Sequence, residues 1–195
     1  MTGSTKFWLV LALACTAFAP WGCNDEGAPV EQPQEQQDRQ ETQGKAEDAA
    51  GKVKCSPLHP QAPTFSLLDL GGKEVSLEEE LKTRVVLLVF WATWCPYCVA
   101  EIPDLNRMEK EHGEKVAILA IDIQESQAKV ASFAKRKGIA YRVLLDFKAD
   151  VARLYNIVGT PTLVLIDEAG CIQYKGHDIR QARTELLRLL EGKSE

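Results

Sequence analysis

Apolar and polar positions along the chain fall into two rhythms. Val85 to Trp91 is an unbroken apolar run, long enough for one buried strand. Its β-branched and aromatic content favours a strand over a helix. Lys115–Asp122, Tyr141–Leu145, Thr162–Asp167 and Cys171–Lys175 read as further strands, the last two joined by a turn at Glu168-Ala-Gly170. Helical patterning fills the intervals. It begins after Cys98, with Glu101, Leu105, Met108 and Glu109, and recurs from Ser126 to Lys137 with Gly138 as a stop. A short helix is expected from Asp150 to Tyr155. A final amphipathic one spans Arg180–Leu190, with Leu186, Leu187 and Leu190 on one face. Before the first long strand, Pro63–Leu70, Gly71-Gly72 and Lys73–Ser76 read as a β-hairpin, and Ser76 heads an acidic helical turn. Strands alternating with helices and closing on a hairpin and helix predict an α/β domain. Its central mixed sheet carries helices on both faces.

The N-terminal part follows neither rhythm. Lys6 precedes an apolar run from Phe7 to Ala19, the length of an export signal and short for a membrane span. Three readings of residues 1–23 stay open. One is cleavage after Ala17-Phe-Ala19, against which Pro20 counts. Another is a lipoprotein signal, with lipid on Cys23 after Gly22. The third is an uncleaved anchor. Residues 24–54 contain no aromatic residue and are rich in Gln, Glu and Asp, so they cannot bury enough apolar surface to fold. They are expected to be a disordered tether with a reach of about 30 Å. Residues 55–195 then form the single folded domain. The net charge of −5 is modest and no Lys/Arg cluster stands out, which argues against a nucleic-acid partner.

The candidate chemistry sits where the first long strand gives way to a helix. Cys95-Pro96-Tyr97-Cys98 follows the short Ala92-Thr93-Trp94 link. A cysteine at a helix N-terminus meets unpaired N–H groups and the positive end of the dipole, which favour a thiolate. Pro96 suits the first turn, because its missing N–H would be unpaired there anyway. Cys98, three residues on, can close a disulfide with Cys95. Cys95 would then attack a partner disulfide and Cys98 would resolve the mixed intermediate. A zinc site would need two more ligands at short spacing. His59, His112 and His177 are scattered, so no metal is expected.

Phe90-Trp-Ala-Thr-Trp-Cys-Pro-Tyr-Cys98 resembles the active-site signature of thioredoxin-fold proteins, and Val158-Gly-Thr-Pro-Thr162 resembles their cis-proline loop. Between about Ala62 and Leu190 the chain looks like the membrane-anchored thiol:disulfide oxidoreductases of the TlpA/ResA type. The resemblance implies a thioredoxin-like fold with an N-terminal β-hairpin extension. It further implies a cis bond before Pro161 and a substrate-binding edge at Thr160 and Pro161. An acidic residue beside the thiols falls at Glu101, on the same helical face as Cys98, where it would relay the Cys98 proton. In thioredoxin itself a buried aspartate on the preceding strand does this work, and Val89 stands at that position here. Trp94, Pro96 and Tyr97 are candidate partner contacts, whereas Trp91 reads as core and Pro103 as a kink in the redox helix.

Of the six cysteines, Cys55 and Cys171 remain. Parity in an oxidising compartment suggests a structural disulfide between them, the alternative being two unrelated thiols. The expected activity is extracytoplasmic, membrane-tethered reduction of protein disulfides. The partners expected are an oxidised protein such as apocytochrome c and a membrane thiol donor. No cofactor is needed, because the dithiol is the redox group. A peroxiredoxin-like thiol peroxidase and a redox-inert binding module are the competing readings.

Overall fold

The computed structural model describes residues 55–192. The export segment 1–23 with Cys23 and the tether 24–54 lie outside the described residues. The described part begins with β1 (Ser66–Asp69), β2 (Glu74–Ser76) and α1 (Leu77–Leu81). It continues with β3 (Val85–Trp91), α2 (Pro96–His112), β4 (Val116–Ile123), α3 (Gln127–Lys137) and β5 (Arg142–Asp146). It closes with α4 (Asp150–Leu154), β6 (Thr162–Ile166), β7 (Ile172–Gly176) and α5 (Ile179–Glu191).

The strands form one mixed sheet in the order β2-β1-β5-β4-β3-β6-β7. β3 lies inside it, parallel to β4 and antiparallel to β6. Both faces of the sheet are covered, so all seven residues of β3 are buried and read as a continuous apolar run. Alternate residues serve opposite cores. Val85, Leu87, Val89 and Trp91 pack with Leu105 and Met108 of α2, Val130 of α3, and Ala182 and Leu186 of α5. Val86, Leu88 and Phe90 pack with Leu77 of α1, Val151 and Ala152 of α4, and Tyr155.

Three sequence expectations change in detail. The hairpin turn is longer than a Gly-Gly pair. Asp69 Oδ1 accepts the N–H groups of Gly71 and Lys73, at 2.8 and 2.9 Å, and Gly72 takes a φ of 80° that favours glycine. Ser76 and Ser126 occupy N-cap positions, but neither side chain makes a cap bond. On α5, Leu186 shares its stripe with Ala182, Leu189 and Leu190, spaced i−4, i+3 and i+4 from it, while Leu187 falls a step to the side and is half-buried. Helix α2 continues through Pro103, which lies on its exposed side.

Cys55 and Cys171 are joined by a disulfide, with Cα atoms 5.5 Å apart. Their neighbours lock the same seam. Gln61 bridges to Cys171, Ala62 N–H donates to Gly170 O at 2.8 Å, and Ile172 N–H donates to Pro60 O at 2.9 Å. Gly170 has a φ of 84°, and a Cβ there would meet the Gln61 amide nitrogen at 2.4 Å. The backbone conformation disfavours a side chain at that point, and the Gln61 amide, bonded to Gly170 O, would have to move to admit one.

Candidate functional site

The site is built at the end of β3. The Ala92–Trp94 link returns Cys95 N–H to Ala92 O at 3.1 Å, which leaves Cys95 as the N-cap of α2. Pro96 follows at the first helical position. Cys95 and Cys98 are both 3% exposed and are disulfide-bonded, with Cα atoms 5.3 Å apart. Cys98 N–H donates to Cys95 Sγ at 3.2 Å. In the dithiol state this donor and the first helical turn would meet a thiolate at Cys95, and both favour the negative charge there.

A second loop closes the other side. The Thr160–Pro161 peptide bond is cis, and Thr160 O lies 3.5 Å from Cys95 Sγ. Pro161 is buried and Thr160 half-buried. His177 Nδ1 donates to Pro161 O at 2.6 Å, and Thr162 Oγ1 donates to Gly159 O at 2.7 Å, so the loop is held on both flanks. Around the cysteines the surface is apolar. Trp94 is 69% exposed and Tyr97 76%, and Val158 on the second loop is 95% exposed. Trp91 points inward and packs on Phe133, with ring centroids 5.8 Å apart.

Two carboxylate sites lie on the elements next to the cysteines, one on α2 three residues beyond Cys98 and one bonded to the link before Cys95. Glu101 is half-buried on α2, and its Oε2 is sequestered without a hydrogen-bond donor. Burial pushes its pKa up to about 7, and the negative charges of Asp178 and Asp104 add to the rise. The other site is Asp122 with Glu125, at the end of β4 and in the loop that follows. Asp122 lies opposite Trp91 in the parallel register and is fully buried. Glu125 accepts Thr93 N–H at 2.6 Å and Thr93 Oγ1–H at 2.8 Å, which ties it to the link before Cys95.

The sequence-predicted residues Trp94, Cys95, Pro96, Tyr97, Cys98, Glu101, Thr160 and Pro161 thus belong to two neighbouring loops and the first two turns of α2. Cys55 and Cys171 lie apart from them, at the seam between the domain's first residues and β7. Sequence reasoning missed Thr93, Asp122, Glu125, Val158 and His177. An acidic residue ending a buried strand, beside the strand that carries the cysteines, was the available signal for Asp122. Among the described residues no group of three or more His, Cys, Asp or Glu side chains could hold a metal ion. No helix among them is long and apolar enough to cross a membrane.

A dithiol at a helix N-terminus, flanked by a cis-proline loop on a mixed sheet, defines a thioredoxin-like thiol:disulfide oxidoreductase site. The Redoxin family matches residues 59–187. The Bacillus subtilis thioredoxin-like protein YneN is 38% identical over 116 residues, covering 58% of this chain and 67% of that protein. The thiol-disulfide oxidoreductase ResA of Bacillus thuringiensis is 33% identical over 131 residues, 66% of this chain and 75% of ResA. A solved thiol-disulfide oxidoreductase from Bacteroides fragilis superposes with a TM-score of 0.58 at 28% identity, covering 66% of this chain and 98% of that one. The chain belongs to the Redoxin family and, within it, to the ResA-like thioredoxin-fold thiol-disulfide oxidoreductases.

Proposed function

We propose that the chain is an exported reductant of protein disulfides, held at the membrane by lipid on Cys23 and tethered through residues 24–54. The observation that carries the chemistry is the Cys98 N–H aimed at Cys95 Sγ from the first turn of α2. Cys95 is the nucleophile. Its thiolate attacks one sulfur of a partner disulfide, and the partner's other sulfur leaves as a thiolate and takes up a proton. Glu101 accepts the proton of Cys98. The Cys98 thiolate then attacks Cys95 Sγ and releases the partner's second sulfur, so two electrons have passed to the partner and Cys95–Cys98 is oxidised. A membrane thiol donor restores the dithiol. Thr160 presents its backbone to an extended segment of the partner as a short added strand. Trp94, Pro96, Tyr97 and Pro161 contact the partner around the cysteines. The ResA relatives are named thiol-disulfide oxidoreductases, which supports a disulfide-bearing substrate; the substrates we infer are extracytoplasmic proteins, apocytochrome c among them.

The test is a redox titration of the full chain, read by differential alkylation of the peptide holding both Cys95 and Cys98. A midpoint near −270 mV or lower, as in thioredoxin, is the expected result. A midpoint near −120 mV, that of a strong oxidant, would reverse the assigned direction of electron flow. Turnover of hydrogen peroxide by the reduced chain would favour the peroxidase reading instead.

A further inference from the structure

β4 ends in a carboxyl group that the exchange chemistry leaves idle. Asp122 is fully buried, and no side-chain donor reaches either of its oxygens; the Glu125 backbone N–H is turned toward it, but too loosely to complete a hydrogen bond. Asp146, at the end of the neighbouring strand, shows the contrast. It is also buried, but it accepts N–H groups from Asp150 and Ala152 of α4, at 2.9 and 2.8 Å. A carboxylate buried without donors is strongly disfavoured, and protonation relieves it.

What faces Asp122 is a second carboxyl group, that of Glu125. Glu125 has donors on both oxygens, Thr93 N–H and Oγ1–H together with the Lys129 ammonium. Burial raises the Glu125 pKa, but the bonds from Lys129 and Thr93 outweigh it and hold the group below its ordinary value. The charged groups facing Asp122 are therefore Glu125 from the loop after β4 and Lys129 from α3. Its register neighbours, Trp91 on β3 and Leu145 on β5, carry no charge. Of two adjacent buried carboxyl groups, the one with donors keeps the negative charge and the other keeps a proton.

We propose that Asp122 and Glu125 share one proton and so position the Ala92–Trp94 link that presents Cys95, with Asp122 donating to Glu125 and Glu125 accepting from Thr93. Both are positioning residues that act on Cys95 through Thr93. Loss of the shared proton in alkali puts two negative charges side by side and slackens the link. Burial first, and then the Glu125 carboxylate, push the Asp122 pKa up to about 8, in keeping with this arrangement. The inference rests on the assignment of Cys95 as the attacking thiol.

Two measurements on the full chain test it. The first follows the Asp122 carboxyl carbon by 13C NMR against pH in the wild type. A midpoint above about 7 is expected, and a midpoint near 4 overturns the shared proton. The second is the pH dependence, between about pH 6 and 10, of the rate at which the reduced chain attacks a small aromatic disulfide. The wild-type rate is expected to fall below the thiolate curve in alkali. In Asp122→Asn, whose amide donates to Glu125 at every pH, the rate should follow that curve. Asp122→Ala, which removes the donor, should be slower at neutral pH by about tenfold, and Asp122→Asn should recover most of that loss. An alkaline inflection that persists in Asp122→Asn, or equal neutral rates for the two variants, overturns the proposal. Should Asp122→Ala not fold, the 13C midpoint and the Asp122→Asn profile still decide it. A chain that attacks no disulfide at any pH refutes the role of Cys95, while the carboxyl titration still reads the pair.

Discussion

Glu101 and Asp122 are two acids proposed for different work, and they differ in what surrounds each. Glu101 is half-buried on the helix that carries Cys98, and a pKa of about 7 gives it comparable acid and base populations at neutral pH. That is the condition for a group that takes and returns a proton in each cycle. Glu101→Gln should slow exchange by about ten- to a hundredfold and remove the inflection near neutrality from the pH–rate profile. A stopped-flow profile unchanged from wild type would take Glu101 out of the mechanism. Asp122 has no route to water and acts on stability as well. Its folded pKa, about 8, lies above the ordinary 3.8. The folded state therefore binds the proton more tightly than the unfolded chain. This stabilisation is complete below 3.8 and is lost as pH rises through 8. Asp122→Asn should gain stability over wild type at alkaline pH, with the gap narrowing toward pH 4, as urea titrations across that window would read. The sequence displayed Cys95, Cys98 and Glu101 openly, because their three-residue spacing over the first two turns of one helix is their geometry. Asp122 and Glu125 were hidden, because the burial of one against Trp91 and the tie of the other to Thr93 reach back about thirty residues, although the Lys129 donor to Glu125 is local.

Helix α2 has to hold two reactive sulfurs at its first turn while its remaining length is gripped by the sheet. Cys98, Ile102, Leu105 and Met108 are its buried residues, a stripe at three- and four-residue steps. Leu105 and Met108 share one core face with Val85, Leu87, Val89 and Trp91 of β3 and Val116, Ile118 and Ala120 of β4. Leu105→Ala or Met108→Ala should each cost about 2–5 kcal/mol in chemical denaturation. Both positions lie more than two turns along α2 from Cys95, so the exchange rate of the folded fraction should change far less than the stability. A collapse in rate with stability intact would mean that the helix has shifted on the sheet. This element was legible from sequence, since an apolar run followed by a 3.6-residue stripe states both the strand and the helix face. The stripe on α5 was read one residue off at Leu187, because three nearby leucines leave its phase open until Ala182 is seen to be buried with Leu186.

At the scale of the whole molecule, the active site and the long-range tie lie at different places in the sheet. Cys95 and Cys98 follow β3 in its interior, while Cys55–Cys171 fastens the first described residue to the start of the edge strand β7, across a sequence separation of 116. Closing so long a loop restricts the unfolded chain and stabilises the fold by about 4–5 kcal/mol on entropy grounds. The seam around it is bonded independently, through Ala62 to Gly170, Gln61 to Gly170 and Ile172 to Pro60. Opening the disulfide should therefore lower global stability and leave local order near β7 largely in place. In Cys171→Ser, the denaturant midpoint should fall in line with that loss, while the Cys95–Cys98 midpoint potential stays within about 15 mV of wild type, roughly half the shift that a tenfold change in the two-electron equilibrium would give. A larger change in potential would mean that the two disulfides are energetically coupled through the sheet. The domain would then have to be treated as one redox unit with four participating sulfurs, since reduction at β7 would set the poise of the dithiol beyond β3.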